Sequence, residues 1–392
     1  MASNTPLQTP ESWQRARLQD IADKIKTGGT PRSSDKSYYN GSLPFVMIDD
    51  MTSSGKFVSQ TTKHISDLGL QNSSAWIVPK DSLLYSIYAT VGEVSINLID
   101  VATNQAIAAI IPNQRKVDRE YLYYFLVSIK PSLRRFFKET TQKNLTSEIV
   151  RDLEVILPPL VEQKEIALIL RTVDEGIAKT DDIIAATEKL KRGLMQELFT
   201  RGVDHVEFRS TKVGKIPETW TVARYGDVTS ITTGKKDANA QVKSGAYPFF
   251  TCAKEVSNID VFSFDMEAVL VAGNGDFNVK YYSGKFDAYQ RTYVIRAGEG
   301  IDGKFLYFLT LFALPQITAG ARGSTIKYLK IGDFTEFLFG LPPVSEQKKI
   351  VGVLSALDEK LALEKRQRET LARLKSGLTQ DLLSGKVRTI NK

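Results

Sequence analysis

Glu162-Gln163-Lys164 and Glu346-Gln347-Lys348 each place a carboxylate two positions before a lysine, the E-x-K spacing of metal-dependent nucleases. Such a centre needs its carboxylates gathered to hold Mg2+. Here each triplet instead opens a helical stretch after a Pro-Pro pair, where the helix macrodipole favours glutamate without any catalytic role. Leu157-Pro158-Pro159-Leu160 echoes the proline pair of amino-methyltransferase motifs, but it lacks the Asn or Asp and the aromatic that orient a target amine. It reads as a device for starting a helix. Gly273 and Gly275 are not a phosphate loop, because no G-K-[ST] follows and no strand–helix pattern surrounds them. Asn274-Gly275 is a hairpin signal instead. Cys252, His64 and His205 read as incidental, and no nucleophile has an evident base. The expectation is no catalytic and no metal-ligating residue.

Composition narrows the classes further. The chain has 392 residues, 42% hydrophobic and 25% charged, which describes a globular protein of two or three domains. One cysteine excludes an intramolecular disulfide and any multi-cysteine zinc site. Met1–Pro10 has no hydrophobic signal core, and no apolar run approaches the roughly 18 residues of a membrane span. No membrane partner and a cytoplasmic location are expected. The net charge of +7 points to an acidic partner, but only weakly, since the large regions are individually close to neutral.

The dominant feature of the sequence is a repeat. Leu157-Pro158-Pro159-Leu160-Val161-Glu162-Gln163-Lys164 returns as Leu341-Pro342-Pro343-Val344-Ser345-Glu346-Gln347-Lys348, an offset of 184 that holds without a gap to Val203 and Val387. Pro10-Glu11-Ser12-Trp13 returns as Pro217-Glu218-Thr219-Trp220 at an offset of 207. Ile166, Leu170, Val173, Ile177, Ile184, Thr187, Leu190, Leu194 and Leu198 follow helical spacing, as do Ile350, Leu354, Leu357, Leu361, Leu371, Leu374, Leu378 and Leu382. A helix over 162–199 is roughly 57 Å long at about 1.5 Å per residue, and its stripe needs a partner. Its own copy is the obvious one.

The predicted architecture is α+β: two mixed globular regions, each followed by a long helix, the helices forming an antiparallel coiled coil in a pseudo-twofold tandem repeat. The boundaries are 1–156 (first globular region), 157–203 (first long helix), 204–340 (second globular region) and 341–392 (second long helix). Within the first region, Leu43–Ile48, Ser82–Ile87 and Ala106–Ile111 read as strands, and Asp118–Lys138 as a helix broken at Pro131. In the second, Ala268–Ala272 reads as a strand and Lys304–Leu314 as a helix stopped by Pro315.

These motifs carry a family likeness. The doubled Leu-Pro-Pro-x-x-Glu-Gln helix start, Thr27-Gly28-Gly29-Thr30-Pro31, Tyr39-Asn40-Gly41-x-Leu43-Pro44-Phe45 and Asn104-Gln105 before an apolar strand resemble the specificity subunit of type I restriction-modification systems, over essentially the whole chain. The resemblance implies two target-recognition domains, each reading one half of a split DNA sequence. It also implies helices that set the spacing and dock two modification (methyltransferase) subunits, with restriction (motor and nuclease) subunits in the assembly. S-adenosylmethionine, ATP and Mg2+ then belong to those partners and none to this chain. The second region departs from the first, with Gly234-Lys235-Lys236 for Gly-Gly-Thr-Pro and Tyr289-Gln290 for Asn104-Gln105, as two different half-sites would require.

Contacts to double-stranded DNA are expected from polar and basic loops, Arg, Lys, Asn and Gln at base edges and Lys, Ser or Thr at phosphates. In the first region these are Lys26, Thr30, Arg32, Ser33, Lys36, Tyr38 and Tyr39. In the second they are Lys235, Lys236, Asn239, Gln241, Lys243, Asn274, Asn278, Lys280, Tyr281, Arg322 and Ser324. Arg134-Arg135 with Lys138 reads as a solvated face or a phosphate clamp. Glu162, Gln163, Leu168, Ile169, Ile183, Glu346 and Gln347 are the candidates for subunit docking, with core packing as the competing account. Two other functions compete: a helical scaffold with no DNA role, and a self-contained nuclease or methyltransferase.

Overall fold

The computed structural model describes residues 10–137 and 145–389, and of residues 134–137 only the backbone. The chain forms two compact units, Met1–Lys179 with Gln367–Lys392 (unit 1) and Thr180–Arg366 (unit 2).

In unit 1 the elements are β1 (Gln14–Arg17), β2 (Ala22–Thr27), β3 (Leu43–Val46), α1 (Ile48–Ser54), β4 (Phe57–Val58), β5 (Lys63–Ile65) and α2 (Asp67–Gln71). They continue with β6 (Leu83–Ser86), β7 (Val94–Asn97), β8 (Ala102–Thr103), β9 (Ile107–Pro112), α3 (Arg119–Ile129), α4 (Ser147–Arg151) and β10 (Glu154–Leu157). A five-stranded sheet runs β2-β9-β6-β7-β4 and a three-stranded one β5-β3-β8, while β1 pairs with β10. Strands β6 and β7 are buried throughout, and the polar residues of β7 are satisfied there, Ser95 donating to Gly55 O (2.7 Å) and Asn97 to Pro79 O (2.8 Å). The strand expected over 43–48 stops at Val46, because Met47 begins a helical turn whose amide bonds Asp50. Helix α3 starts on Asp118, whose carboxylate accepts the amides of Glu120 and Tyr121. Past Ile129 the chain tightens to a 3-10 helix through Pro131, over Lys130–Phe137.

Helix α5 (Leu160–Thr200) spans the division between the units, as does α8 (Val344–Leu383). Unit 2 contains β11 (Phe208–Thr211), β12 (Gly214–Pro217), β13 (Thr221–Arg224), β14 (Thr229–Thr233), β15 (Tyr247–Phe250), β16 (Ser257–Ile259), β17 (Phe264–Ala272), β18 (Val279–Ala288) and β19 (Thr292–Ala297). Helices α6 (Gly303–Thr318) and α7 (Ile331–Thr335) and strand β20 (Leu338–Leu341) complete it. Its main sheet is β14-β19-β17-β18-β15-β16, and β13 pairs with β20 as β1 pairs with β10. Helix α6 runs through Pro315 instead of stopping there. Ile317 is buried in the core two residues on, and the Thr318 hydroxyl donates to Leu314 O (2.8 Å), so packing and a side-chain bond carry the last turn past the proline.

The tandem repeat and the antiparallel helix pairing are visible inside each unit. In unit 1 the start of α5 meets the end of α8, and Lys375 bonds Asp174 at 2.6 Å. In unit 2 the end of α5 meets the start of α8, and Lys191 bonds Asp358 at 2.5 Å. These are the same two positions of the repeat with their roles exchanged between helices. The pairs also alter the apolar stripe. The lysines turn inward, and the preceding Leu190 and Leu374 are left 53% and 49% exposed.

The core of unit 1 gathers Tyr85, Ile110, Tyr121, Phe125, Ile166 and Leu382. That of unit 2 gathers Trp220, Tyr225, Phe305, Leu309, Ile350 and Leu354. Each such side chain contributes roughly 1.5–3 kcal/mol on burial, so each long helix is held by the domain beside it as well as by its partner helix. Among the described residues no helix is long and apolar enough to cross a membrane.

Candidate nucleic-acid interface

The antiparallel pairing of β2, β9, β6 and β7 brings three connections to one end of the unit 1 sheet. Thr27 at the end of β2 lies opposite Ala108, and Ser86 at the end of β6 opposite Ile107. The loop after Thr27, the Asn104–Ala106 turn and the turn from Ile87 to Glu93 therefore emerge together. Gly28 N donates to Ile107 O (3.2 Å) and Gly29 N to Thr103 O (3.0 Å). A Cβ on Gly28 would stand 1.9 Å from Thr103 O, so only glycine lets the loop close here. The Thr30 hydroxyl bonds Gln105 Oε1, and the Tyr39 hydroxyl donates to Pro31 O (2.6 Å). Asp35 accepts the Ser37 hydroxyl (2.6 Å) and amide, bonds that hold its carboxyl below the usual carboxylate range and fix the short helical turn Lys36–Tyr38.

This loop forms one wall of a cleft of about 760 Å³. Of the expected contacts, Thr30, Ser33, Lys36 and Tyr39 line it, over a floor that includes Phe45 and Met47. Lys63 and His64, exposed on β5, complete the rim. Sequence reading missed Lys63 and set His64 aside, because β5 is far from the loop along the chain and comes near it only through its pairing with β3. The lining carries Lys36 and Lys63 and no carboxylate, a surface suited to a polyanion. Arg32 is exposed in the same loop. Lys26 points from β2 over the Trp76 ring (5.7 Å), beside Lys24 (4.1 Å). Tyr38 is half-buried, and its carbonyl receives Ser66 N (2.9 Å).

Unit 2 uses the same end of its sheet. Gly234 N donates to Thr292 O (3.2 Å), and a Cβ there would lie 1.9 Å from Ala288 O. Lys235, Asn239 and Lys243 are exposed in the loop that follows. Lys236 is half-buried and bridges Tyr289, and Gln241 accepts the Ser257 hydroxyl (2.9 Å). Asn274 bridges Tyr328, which joins the turn after β17 to the 322–328 loop, where Ser324 is exposed.

Four of the expected contacts have their polar ends bonded within the unit. Asn278 donates to Cys252 O and Asp276 O (both 2.9 Å). Lys280 donates to Ala253 O (2.6 Å) and Asn278, with burial lowering its ammonium pKa. The Tyr281 hydroxyl donates to Glu267, with burial raising its phenol pKa. Arg322 grips both Asp333 oxygens (3.0 and 2.8 Å). Each polar end already has a partner close by, so DNA would have to displace an internal bond to reach it.

The expected docking residues divide in the same way. Glu162 is fully buried, accepts Trp13 Nε1–H (3.0 Å) and is held by the Arg388 guanidinium (2.6 and 2.8 Å). Burial would raise the Glu162 carboxyl, but the Arg388 and Trp13 bonds outweigh it and hold the group below its ordinary value. Glu346 accepts Trp220 Nε1–H (2.9 Å), Val203 N (2.9 Å) and His205 Nε2 (2.9 Å). Gln163 accepts Asp118 N (2.7 Å) and donates to Pro158 O (2.9 Å), and Gln347 does the same with Asp302 N (2.8 Å) and Pro342 O (3.0 Å). All four are buried, so their bonds lock each domain to its helix. The nuclease reading loses its carboxylates to the same bonds, and His205 is structural rather than incidental. Among the described residues no group of three or more His, Cys, Asp or Glu is placed to hold a metal ion.

Leu168 and Ile183 are 51% and 41% exposed, whereas Ile169 packs partly against the unit 1 core. Lys138 lies outside the described residues, and of Arg134 and Arg135 only the backbone is described.

Comparison with known proteins fits this arrangement. A family model described as the type I restriction modification DNA specificity domain matches residues 10–189 and 217–373. The EcoDI type I restriction enzyme specificity subunit of Escherichia coli is 43% identical over 44% of this chain, a match spanning 38% of that protein's length. The putative MjaX specificity subunit of Methanocaldococcus jannaschii is 26% identical over 97% of this chain and 94% of its own. Among solved structures, a type I restriction-modification S subunit from M. genitalium has the same fold, with a TM-score of 0.63 at 14% identity and 97% coverage of both chains.

Proposed function

Because this chain belongs to the family of type I restriction-modification DNA specificity proteins, we propose that it selects the DNA target of such an assembly and makes or breaks no covalent bond itself. Residues 1–156 and 204–340 each read one block of a split duplex sequence, and the helices of 157–203 and 341–392 set the gap between blocks. Two modification subunits dock on the helices, Leu168 and Ile183 offering apolar contact, and restriction subunits join the assembly. S-adenosylmethionine, ATP and Mg2+ act on those partners, in the cytoplasm.

One observation carries the reading. The two units share a frame down to equivalent hydrogen bonds, yet differ at the sheet end where the candidate contacts gather. In unit 1 that end carries the cleft with Lys36 and Lys63; in unit 2 the stretch paired as β5 pairs in unit 1 is Ser257–Ile259, where Ser257 bonds Gln241. A common frame with diverged loops suits two different half-sites.

Genome-wide mapping of methyladenine with and without the gene tests the proposal. Loss of one split motif is expected, and exchanging residues 1–156 for those of a relative should change one block only. If the partner subunits are active and no motif disappears, the proposal fails.

A further inference from the structure

The turn from Ile87 to Glu93 between β6 and β7 was not among the expected contacts, and it is held with unusual firmness for an exposed turn. Ser86 is fully buried beneath it. Its hydroxyl donates to Thr90 O (2.5 Å) and accepts Glu93 N (2.8 Å), while its carbonyl accepts Gly92 N (3.0 Å). Ala89 adopts φ +56°, a left-handed conformation that disfavours alanine, and Gly92 follows at φ +84°. Strain of this kind persists only where the surroundings over-determine it, and it clusters at functional segments.

What the turn displays is the Tyr88 ring, 40% exposed. Its location is fixed by Ile87 N donating to Ala106 O (2.8 Å). The neighbouring Gln105 takes the Thr30 hydroxyl, and Thr30 lines the cleft. Tyr88 therefore stands at the sheet end that carries the proposed reading surface. The corresponding turn of unit 2, from Gly273 to Asn278, bears Asn274, Gly275 and Asp276 at its tip, and its aromatic Phe277 packs against the unit 2 core.

We propose that Tyr88 is a specificity-determining residue of the first block: its ring makes a fixed aromatic contact with the bases of duplex DNA there, with no counterpart in the second block. This rests on the DNA-reading function above. A ring carried on a turn whose backbone is already held has only its own two side-chain torsions to fix on binding, which is how exposed aromatics become effective contacts.

The test uses the complete assembly and duplexes carrying the split motif returned by methyladenine mapping. Tyr88→Ala should weaken binding about tenfold, the scale of one base-edge contact in a duplex, and relax preference within the first block while leaving the second unchanged. Tyr88→Phe should retain most affinity, because the ring is what acts. Lys36→Ala, measured alongside, should lower affinity with a shallower salt dependence. Unchanged binding by Tyr88→Ala together with loss by Lys36→Ala would overturn the Tyr88 assignment and leave the DNA-reading function standing. If neither variant changes binding, both fall. Unfolding curves of each assembly keep a folding defect from passing as a binding loss.

Discussion

Glu162 and Glu346 occupy the same position of the repeat and accept the same indole N–H, from Trp13 and from Trp220. Their remaining partners differ. Unit 1 supplies a charged fork from Arg388; unit 2 supplies the amide of Val203 and the imidazole of His205. The common requirement is thus to satisfy a buried carboxylate at the start of each long helix. How it is satisfied is free to vary, provided every lone pair is used.

Removing the carboxylate should break the comparison most severely. Glu162→Ala leaves the indole N–H and Arg388 without their partner and should cost about 3 kcal/mol, the lower end for breaking a buried pair, because Arg388 keeps partial contact with water. Glu346→Ala should cost somewhat less, no guanidinium being stranded. Thermal unfolding of the two variants would rank them, and equal small losses would refute the account. Acid adds a sharper arm. The Glu162 carboxyl is held below its ordinary value of 4.5, so its contribution to unit 1 is complete above that pH and drains away as pH falls through the lowered value. An acid titration of unfolding should show this loss in wild type and not in Glu162→Ala.

Trp13→Phe and Trp220→Phe delete one hydrogen bond to a buried carboxylate and should each cost about 2 kcal/mol, read from denaturant midpoints. A smaller difference lies further along α5. Tyr124 donates to Asp174 (2.7 Å) in unit 1, while unit 2 has Phe308 at the equivalent place, with Lys191 5.3 Å from its ring. Tyr124→Phe makes unit 1 resemble unit 2 and should cost about 1 kcal/mol in the same measurement. Smallest should be the repeated ion pairs. Lys375→Met and Lys191→Met remove partly exposed bridges to Asp174 and Asp358, each worth under about 1 kcal/mol. A double-mutant cycle with the aspartate would isolate that term.

The repeat, the helices and the alternation of domain and helix were legible because each is written locally, in periodic leucines and a motif that returns at a constant offset. Glu162 and Gln163 were legible as a helix start but not as buried, since Trp13 and Arg388 lie 149 and 226 positions away. Their burial appears only once β1 pairs with β10. The first loop was legible as one polar, basic run from Thr30 to Tyr39, four residues of which line the cleft. Lys63, His64 and Tyr88 were not, because strand pairing, not sequence proximity, brings them to that end. Arg322 was legible as a basic loop residue but not as the partner of Asp333, since nothing in composition announces that ion pair. Pro315 shows that a local stop signal yields when Ile317 has a core to enter.

Unit 2 is one continuous run of chain, whereas unit 1 needs residues near 388 to close around Glu162. On the ribosome this reverses the usual order, in which the N-terminal domain is finished first. Residues 180–366 can complete their fold while the earlier segment still waits, its helix start open and its buried glutamate unmet. At about 5–20 residues per second that wait lasts roughly ten seconds or more. Until then unit 1 stays incomplete, so that a prematurely stopped chain lacks Leu382 and Leu383 and leaves part of that core uncovered.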